Sequence, residues 1–567
     1  MKSDRGWVSI CQSIALWLLP VLFLGIFFFI PMGKIINLSG ILQPGLQLAQ
    51  GEWSALVRPL TFTIFQAVVS TVLTLCIGIP GAYVLSHFYF KGRELIKAAL
   101  IVPFILPTVV VASCFNSLLG PHGVINELLI TLLHLQSPPL ALLNSFWAII
   151  LGHIFYNTSL VILVVGEAWS KMNPNFEASA RVLGTNRFQT ALHVTFPLLA
   201  PSVLASSLLV FIFDFTSFGV VLLLGGPAFA TLEVEIFIQA TQMLNLRLAT
   251  IMSLIQIIMT LGLAAIYARV SRGQSFELTP HFKRGEALNS APFPQKLFSL
   301  GVLTILFIFF FTPLVALVTR SMTSYQPGSS TSIPLFGNAS WSYYAELFIN
   351  RRGSLFYVPP YEAVLNSLLF AAITLLIALP LGVLIVLALR QPHRINRILD
   401  PLIMLPLGSS AVTLGLGLLL AFNTTVLYKI PFPVLLPIAH GLVALPLVVR
   451  IIQPAIDAIP VNLAFSARVL GADRWHVLRD VELPLLKQPV IVSAIFAFSV
   501  SLGEFGATTF LNRPDYPTIP IVIYRFLTQP GQVNYGQAMA MSTILMVICI
   551  LGIFCIQLTD QTNRERK

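Results

Sequence analysis

About twelve stretches of this chain are apolar over the roughly twenty residues that a helix needs to cross a hydrocarbon layer. They fall near 9–31, 60–87, 95–115, 144–166, 198–224 and 248–269, then near 296–318, 364–389, 399–422, 432–453, 489–511 and 536–557. A backbone in lipid must satisfy its own hydrogen bonds, so stretches of this kind are helices. Only 10% of the 567 residues are charged, against about 25% in soluble domains. The fold class is therefore all-α: a polytopic membrane protein of about 12 transmembrane helices. Pro80, Pro103, Pro107, Pro380 and Pro406 fall inside these stretches, where neighbouring helices can take up the freed carbonyls.

The formal net charge is +11, a balance that in a soluble chain would suggest nucleic acid. The placement of the charges excludes it. Lys and Arg gather in alternate short loops: Lys2 and Arg5; Lys91, Arg93 and Lys97; Lys171, Arg181 and Arg187; Arg269 to Arg284; Arg390, Arg394 and Arg397; Arg468, Arg474 and Arg479; Arg564 to Lys567. The intervening loop 116–143 has none, while Arg320, Arg351 and Arg352 are the main exceptions, in a long loop that charge constrains weakly. The positive-inside rule puts the basic loops and both termini in the cytoplasm, and the partner of this basic surface is the lipid membrane itself. The first stretch extends past the length of a signal peptide and reads as a retained span. All five cysteines lie in apolar stretches without a Cys-x-x-Cys pair, as small buried hydrophobes do.

One cytoplasmic loop occurs twice. Residues 175–199 and 462–486 align without a gap at an offset of 287, and 12 of 25 positions are identical. Each copy holds Ser-Ala-Arg-Val-Leu-Gly, at Ser179–Gly184 and Ser466–Gly471, and ends in Pro197-Leu-Leu or Pro484-Leu-Leu. Asn175 is placed to cap a short helix, and Gly184 to end it in left-handed geometry. A second short helix then starts near Arg187, so the loop reads as helix, turn and helix at the membrane face. Small residues (Ser179, Ala180; Ser466, Ala467) permit close approach. An aromatic, Phe188 or Trp475, can fill a partner's pocket. His153 recurs as His440, and Phe218-Gly219 as Phe505-Gly506. The chain thus divides into repeats 1–270 and 296–567 around a polar linker, 271–295, and an even number of spans in each makes the repeats parallel.

These loops resemble the Glu-Ala-Ala loop of permeases in binding-protein-dependent (type I) ABC importers. The resemblance implies a six-helix permease core in each repeat and coupling loops at 174–197 and 461–484 that dock two copies of an ATPase subunit. It assigns that contact to Glu177, Ser179, Ala180, Arg181, Gly184, Arg187, Phe188 and Pro197, and to Ser466, Ala467, Arg468, Gly471, Arg474, Trp475 and Pro484. The acidic position of the pattern departs, since Ala178 and Phe465 occupy it and Glu177 is only adjacent. No phosphate-cradling Gly-x-x-x-x-Gly-Lys-[Ser/Thr] loop is present, so the chain is expected to be no enzyme, with ATP and magnesium on the partner. The resemblance further implies a substrate-binding protein and a bacterial cytoplasmic (inner) membrane location. Leu224-Gly-Gly-Pro and Leu502-Gly-Glu-Phe-Gly are similar to stretches of the thiamine and ferric-iron permease group. Permeases for other small solutes, such as sulfate, molybdate or polyamines, remain alternatives.

Asp214 and Glu504 stand inside apolar stretches, where an ionisable group usually faces a cavity or a partner. With Phe218 and Phe505 they are candidates for the translocation pathway, and Tyr156 and Asn157 are weaker ones. A hydrogen-bonded carboxyl holding helices together is the equal alternative. His153 and His440 read as hydrogen-bonded structural residues, since no ligand spacing supports a metal. An ion-coupled secondary transporter is the competing class, but it leaves the repeated loop unexplained.

Overall fold

The computed structural model describes residues 16–41, 50–272, 286–323, 340–350, 359–390 and 395–564. Most of the linker lies outside these residues, as do Lys2, Arg5, Lys283, Arg284, Arg351, Arg352, Arg394, Arg566 and Lys567. The first half holds α1 (Leu16–Ser39), α2 (Gly51–His87), α3 (Arg93–Ile105), α4 (Thr108–Leu119), α5 (Val124–Leu133), α6 (Phe146–Lys171), α7 (Asn175–Val182), α8 (Phe196–Phe215), α9 (Gly219–Leu224), α10 (Leu232–Thr241) and α11 (Leu246–Arg272). The second holds α12 (Phe293–Ser321), α13 (Pro360–Leu389), α14 (Asn396–Gly408), α15 (Ala411–Phe422), α16 (Leu435–Asp457), α17 (Val461–Val469), α18 (Leu483–Gly503), α19 (Gly506–Leu511), α20 (Ile519–Thr528) and α21 (Gln532–Arg564). Among the described residues eleven helices are long and apolar enough to cross a membrane, or twelve if a bent pair, Asn396–Pro406 with Ala411–Phe422, is one span.

Four of the expected continuous spans are broken. The stretch near 95–115 stops at Leu106, which is extended at ψ 134° before Pro107, because a residue ahead of proline is pushed out of the helical region. Pro80, Pro103, Pro380 and Pro406 stay inside helices. The stretch near 399–422 bends by 96°, and the Ser410 hydroxyl restarts it by accepting from Thr413 N at 3.1 Å. The stretches near 198–224 and 489–511 each break between two helices, α8 from α9 and α18 from α19.

Packing divides the chain into two compact units that do not follow the linear duplication. One contains Leu48–Glu235 and Ile258–Ser342; the other contains Met1–Gln47, Ile236–Ile257 and Tyr343–Lys567. Each unit therefore carries the first helix of the opposite sequence half. In the Leu48 unit, α2, α6 and α8 pack together around Ala82, Val161, Val165 and Val210. The half-crossing helix α12 lies on α4 and α2, with Phe310 5.7 Å from Phe155 of α6. Arg320, at the end of α12, is buried against Glu127 of α5 at 3.4 Å. This pairing accounts for a basic residue on the charge-poor side.

In the other unit, α13, α16 and α18 form the matching trio. There α1 packs on α15, its Phe27 ring 5.7 Å from Phe422, and Trp17 Nε1 donates to Asn396 Oδ1 of α14 at 3.0 Å. Val161 and Val448, 287 positions apart, fill corresponding notches: a Cβ on Gly78 would lie 2.6 Å from Val161, and one on Gly382 2.5 Å from Val448.

A close backbone approach joins α15 to α19. A Cβ on Gly415 would meet the Ala507 Cα at 2.6 Å and its carbonyl oxygen at 2.9 Å. Backbone cannot retreat as a side-chain tip does, so Gly415→Val should cost about 1–3 kcal/mol or more in overpacking. The check is the thermal midpoint of the purified protein, with Gly262→Val as control, since nothing lies within 4 Å there. Equal midpoints for the two variants would contradict this contact.

Candidate functional site: the duplicated loop and the helix junction beyond it

Both copies of the loop fold alike. Helices α7 and α17 end at Gly184 and Gly471, which stand at φ +90° and +93°. Gly184 N donates to Arg181 O at 3.0 Å and Thr185 N to Ala180 O at 3.2 Å; in the second copy Gly471 N reaches Arg468 O and Ala472 N reaches Ala467 O, both at 3.0 Å. These paired bonds close the last helical turn and require the left-handed residue. The next turn restarts in the same way in both. Asn186 Oδ1 accepts from Gln189 N at 2.8 Å, and Asp473 Oδ1 from His476 N at 2.8 Å. The helix start differs from expectation: Pro174 takes the cap position of α7, and Asn173, rather than Asn175, supplies the side-chain oxygen, accepting from Asn175 N at 3.0 Å.

The turn pushes apolar side chains outward. Val182, Leu183 and Phe188 are 88%, 85% and 75% exposed; Val469, Leu470 and Trp475 are 86%, 88% and 62% exposed. Burying one such side chain is worth roughly 1.5–3 kcal/mol, so each loop offers a compact apolar anchor. Val182, Leu183, Val469 and Leu470 were absent from the sequence-level candidates, although their identity in both copies signalled them. Ser179, Arg181, Ser466 and Arg468 are exposed, Ala180 is buried and Ala467 half-buried. The side chains of Arg187 and Arg474 lie outside the described residues.

The second short helix is continuous with the span that follows. Residues 187–190 run through a π turn, Ala191–Thr195, into α8, and 474–476 run through Val477–Glu482 into α18. Pro197 and Pro484 sit in the first turn of those spans. A proline cannot bond the carbonyl four residues back and crowds it, and the wider π turn relieves that crowding. Glu177 is half-buried and fastens the loop to the span. Its carboxylate accepts from the Thr195 hydroxyl at 2.8 Å and lies 3.5 Å from Arg181. In the second copy Ala464 and Glu482 hold the places of Glu177 and Thr195, and Glu482 pairs with Arg390 at 2.5 Å.

At the far end of the same helices, each unit buries a histidine. His153 Nε2 is 2.8 Å from Ser217 Oγ, and Nδ1 is 3.4 Å from Asp214 Oδ1. Asn157 Nδ2 donates to that carboxyl at 2.7 Å, and Tyr156 approaches at 3.5 Å. His440 Nδ1 is 2.8 Å from Ser501 Oγ, while Nε2 is 3.0 Å from Thr508 Oγ1 and 3.6 Å from Glu504 Oε2. Glu504 also caps α19, accepting from Ala507 N at 3.2 Å and Thr508 N at 3.1 Å. Of the pathway candidates, Asp214 is in the last turn of α8 and Glu504 in the break after α18; Phe218 and Phe505 follow, and all four are buried. Ser217, Ser501 and Thr508 reach the histidines across more than sixty residues of sequence, a pairing that local pattern does not mark.

A family model described as the binding-protein-dependent transport system inner membrane component matches residues 74–275 and again 367–564. The chain therefore belongs to that family and carries its permease domain twice. It is 26% identical over 482 residues to a protein of Sinorhizobium fredii named probable ABC transporter permease protein y4fN, covering 81% of this chain and 80% of that one. It is 24% identical to proteins named thiamine transport system permease protein ThiP from Brucella suis biovar 1 and Escherichia coli K12. Those matches cover 90% and 88% of this chain, and 88% and 90% of theirs. The chain is a fused ABC importer permease, an inner-membrane multi-pass component of a family that works with a binding protein and an ATPase.

Two expected outcomes follow from the loop geometry. A β-branched residue at Gly184 or Gly471 is strained by about 1–3 kcal/mol, so Gly184→Val and Gly471→Val should leave ATP hydrolysis running while uptake per assembled complex falls. Normal substrate-stimulated hydrolysis and uptake in both variants would contradict the role of the turn.

The second concerns pH. The hydrogen bond from the His476 backbone holds the Asp473 carboxyl below its usual range, and the Asp473 side chain raises the His476 imidazole. Asp473 contributes above the unfolded carboxylate value, near pH 4, and its share fades as pH falls. The share of His476 is whole below about 6.5, the unfolded imidazole value, and fades as pH rises through the raised one. The capped pair is thus complete between about pH 4 and 6.5. In Asp473→Asn the His476 ring should titrate at lower pH than in the unaltered protein, read by NMR of labelled histidine. An unchanged titration would remove the pairing.

Proposed function

We propose that this chain is the pathway by which a solute, handed over by a binding protein, enters the cytoplasm while two copies of one ATPase subunit hydrolyse ATP on its two loops. The observation that carries this reading is the repeated apolar anchor, Val182, Leu183 and Phe188 in one loop and Val469, Leu470 and Trp475 in the other, on the same left-handed turn. Exposed aliphatic pairs beside an aromatic are the kind of cluster that fills a partner's pocket. Both copies present it alike, which suits one ATPase used twice. In this reading both termini are cytoplasmic, ATP and magnesium belong to the partner, and Asp214, Phe218, Glu504 and Phe505 act close to the solute's path. The names of relatives at 24% identity, over most of both chains, favour thiamine as the solute over ferric iron.

Two measurements test this. Native mass spectrometry of the purified complex should find two ATPase subunits per chain; a single one would overturn the symmetric docking. In proteoliposomes with the cognate binding protein, thiamine should stimulate ATP hydrolysis and be taken up. Uptake without the ATPase would instead indicate ion coupling, and stimulation by ferric iron alone would replace the substrate.

A further inference from the structure

Four positions change as paired exchanges between the two buried histidine junctions, while a fifth, Tyr156, is matched by Val443. Asp214 stands where the second repeat has Ser501, and Ser217 where it has Glu504. The carboxyl and the hydroxyl have traded places. Asn157, which donates to Asp214, is matched by Ala444, and Thr508, which donates to Glu504, is matched by Val221. Each move of the carboxyl is thus accompanied by a move of its second partner. The imidazole keeps one pose throughout: Nδ1 faces position 214 or 501, and Nε2 faces position 217 or 504. The serine hydroxyl lies 2.8 Å from the ring in both junctions, while the carboxyl stands at 3.4 Å in the first and 3.6 Å in the second, where Thr508 also bridges it to Nε2. The same clamp is built from two mutually exclusive sets of side chains.

Its position suggests what it does. Helix α6 leads into the first loop and α8 leads out of it; His153 lies on one and Asp214 on the other. Eighteen residues separate His153 from Lys171, and eighteen separate Phe196 from Asp214, so each leg is ~27 Å long at 1.5 Å per residue. In the second repeat the legs span seventeen residues, His440 to Asp457, and eighteen, Leu483 to Ser501. Directly beyond each clamp the span breaks. The two legs already pack on each other, in the first repeat around Val161, Val165 and Val210, and apolar packing alone is not directional; the clamp adds a polar contact at the far end that fixes their register.

We propose that each His–carboxyl–Ser clamp is the joint by which movement of its loop reaches the broken helix beyond, and that the two forms of the clamp are interchangeable. This rests on reading the loops as the ATPase contacts. His153 and His440 act as positioning residues.

The test uses the full chain assembled with its ATPase and binding protein in proteoliposomes. His153→Ala should keep ATP hydrolysis while uptake per assembled complex falls at least ~5-fold, the lower end of ordinary coupling energies. If it lowers only the yield of complex and leaves uptake per complex unchanged, the junction merely holds helices together and the joint is overturned. Asp214→Ser alone should lose uptake. The set Asn157→Ala, Asp214→Ser, Ser217→Glu and Val221→Thr, which rebuilds the second repeat's clamp in the first, should restore it together with the thermal midpoint. A set that fails to fold, or folds without restoring uptake, overturns interchangeability. If no ATPase is retained by the unaltered protein, the loop reading fails, while the midpoint of the four-residue set, read on the chain alone, still decides interchangeability.

Discussion

A buried imidazole between apolar helices needs polar neighbours, and each unit supplies them to its histidine from the segments around a helix break. Leaving such a group unpaired costs roughly 1–3 kcal/mol. The partners come from the helix that breaks, and the break itself frees backbone groups that have to be satisfied. The same residues meet both needs. The Asp214 carbonyl accepts from Gln66 Nε2 at 2.8 Å, and Glu504 fills the opening N–H groups of α19. A helix ending in the middle of an apolar unit is tolerable because these side chains close its ends.

The loops show backbone geometry kept while chemistry varies. The left-handed glycine, the paired turn bonds, the restarted cap and the π turn before proline recur at an offset of 287. The side chains that fasten each loop to its span do not. A carboxylate is present at the loop–span joint in both copies, on Glu177 in one and on Glu482 in the other, with Thr195 or Arg390 as its partner. The histidine junctions follow the same pattern. What is kept across the duplication is a set of spatial roles, and either side of a contact can supply the group.

Charge is handled in two ways. Exposed cations lie mostly in alternate loops, where the membrane surface favours them. Arg320 breaks that pattern because it is not a loop charge at all: it is nearly fully buried at the end of α12, paired with Glu127. Removing one member of such a pair strands the other in an apolar setting and typically costs more than the pair contributes. The pair therefore ties α12 to α5 by making separation expensive.

From its sequence alone the chain was bound to be an all-α membrane protein with a parallel duplication, a left-handed glycine in each loop and a histidine in each half. These features depend on hydrophobic length, local turn chemistry and identity at a fixed offset, all of which are written along the chain. Only the tertiary structure decided where spans break, which first helix joins which unit, that Glu177 fastens its loop to the span, and that Ser217, Ser501 and Thr508 complete the junctions. Each of these depends on a partner tens to hundreds of residues away. A hydrogen bond or a notch beside a glycine acquires its meaning only when a second helix is placed against it, and local pattern does not specify that helix.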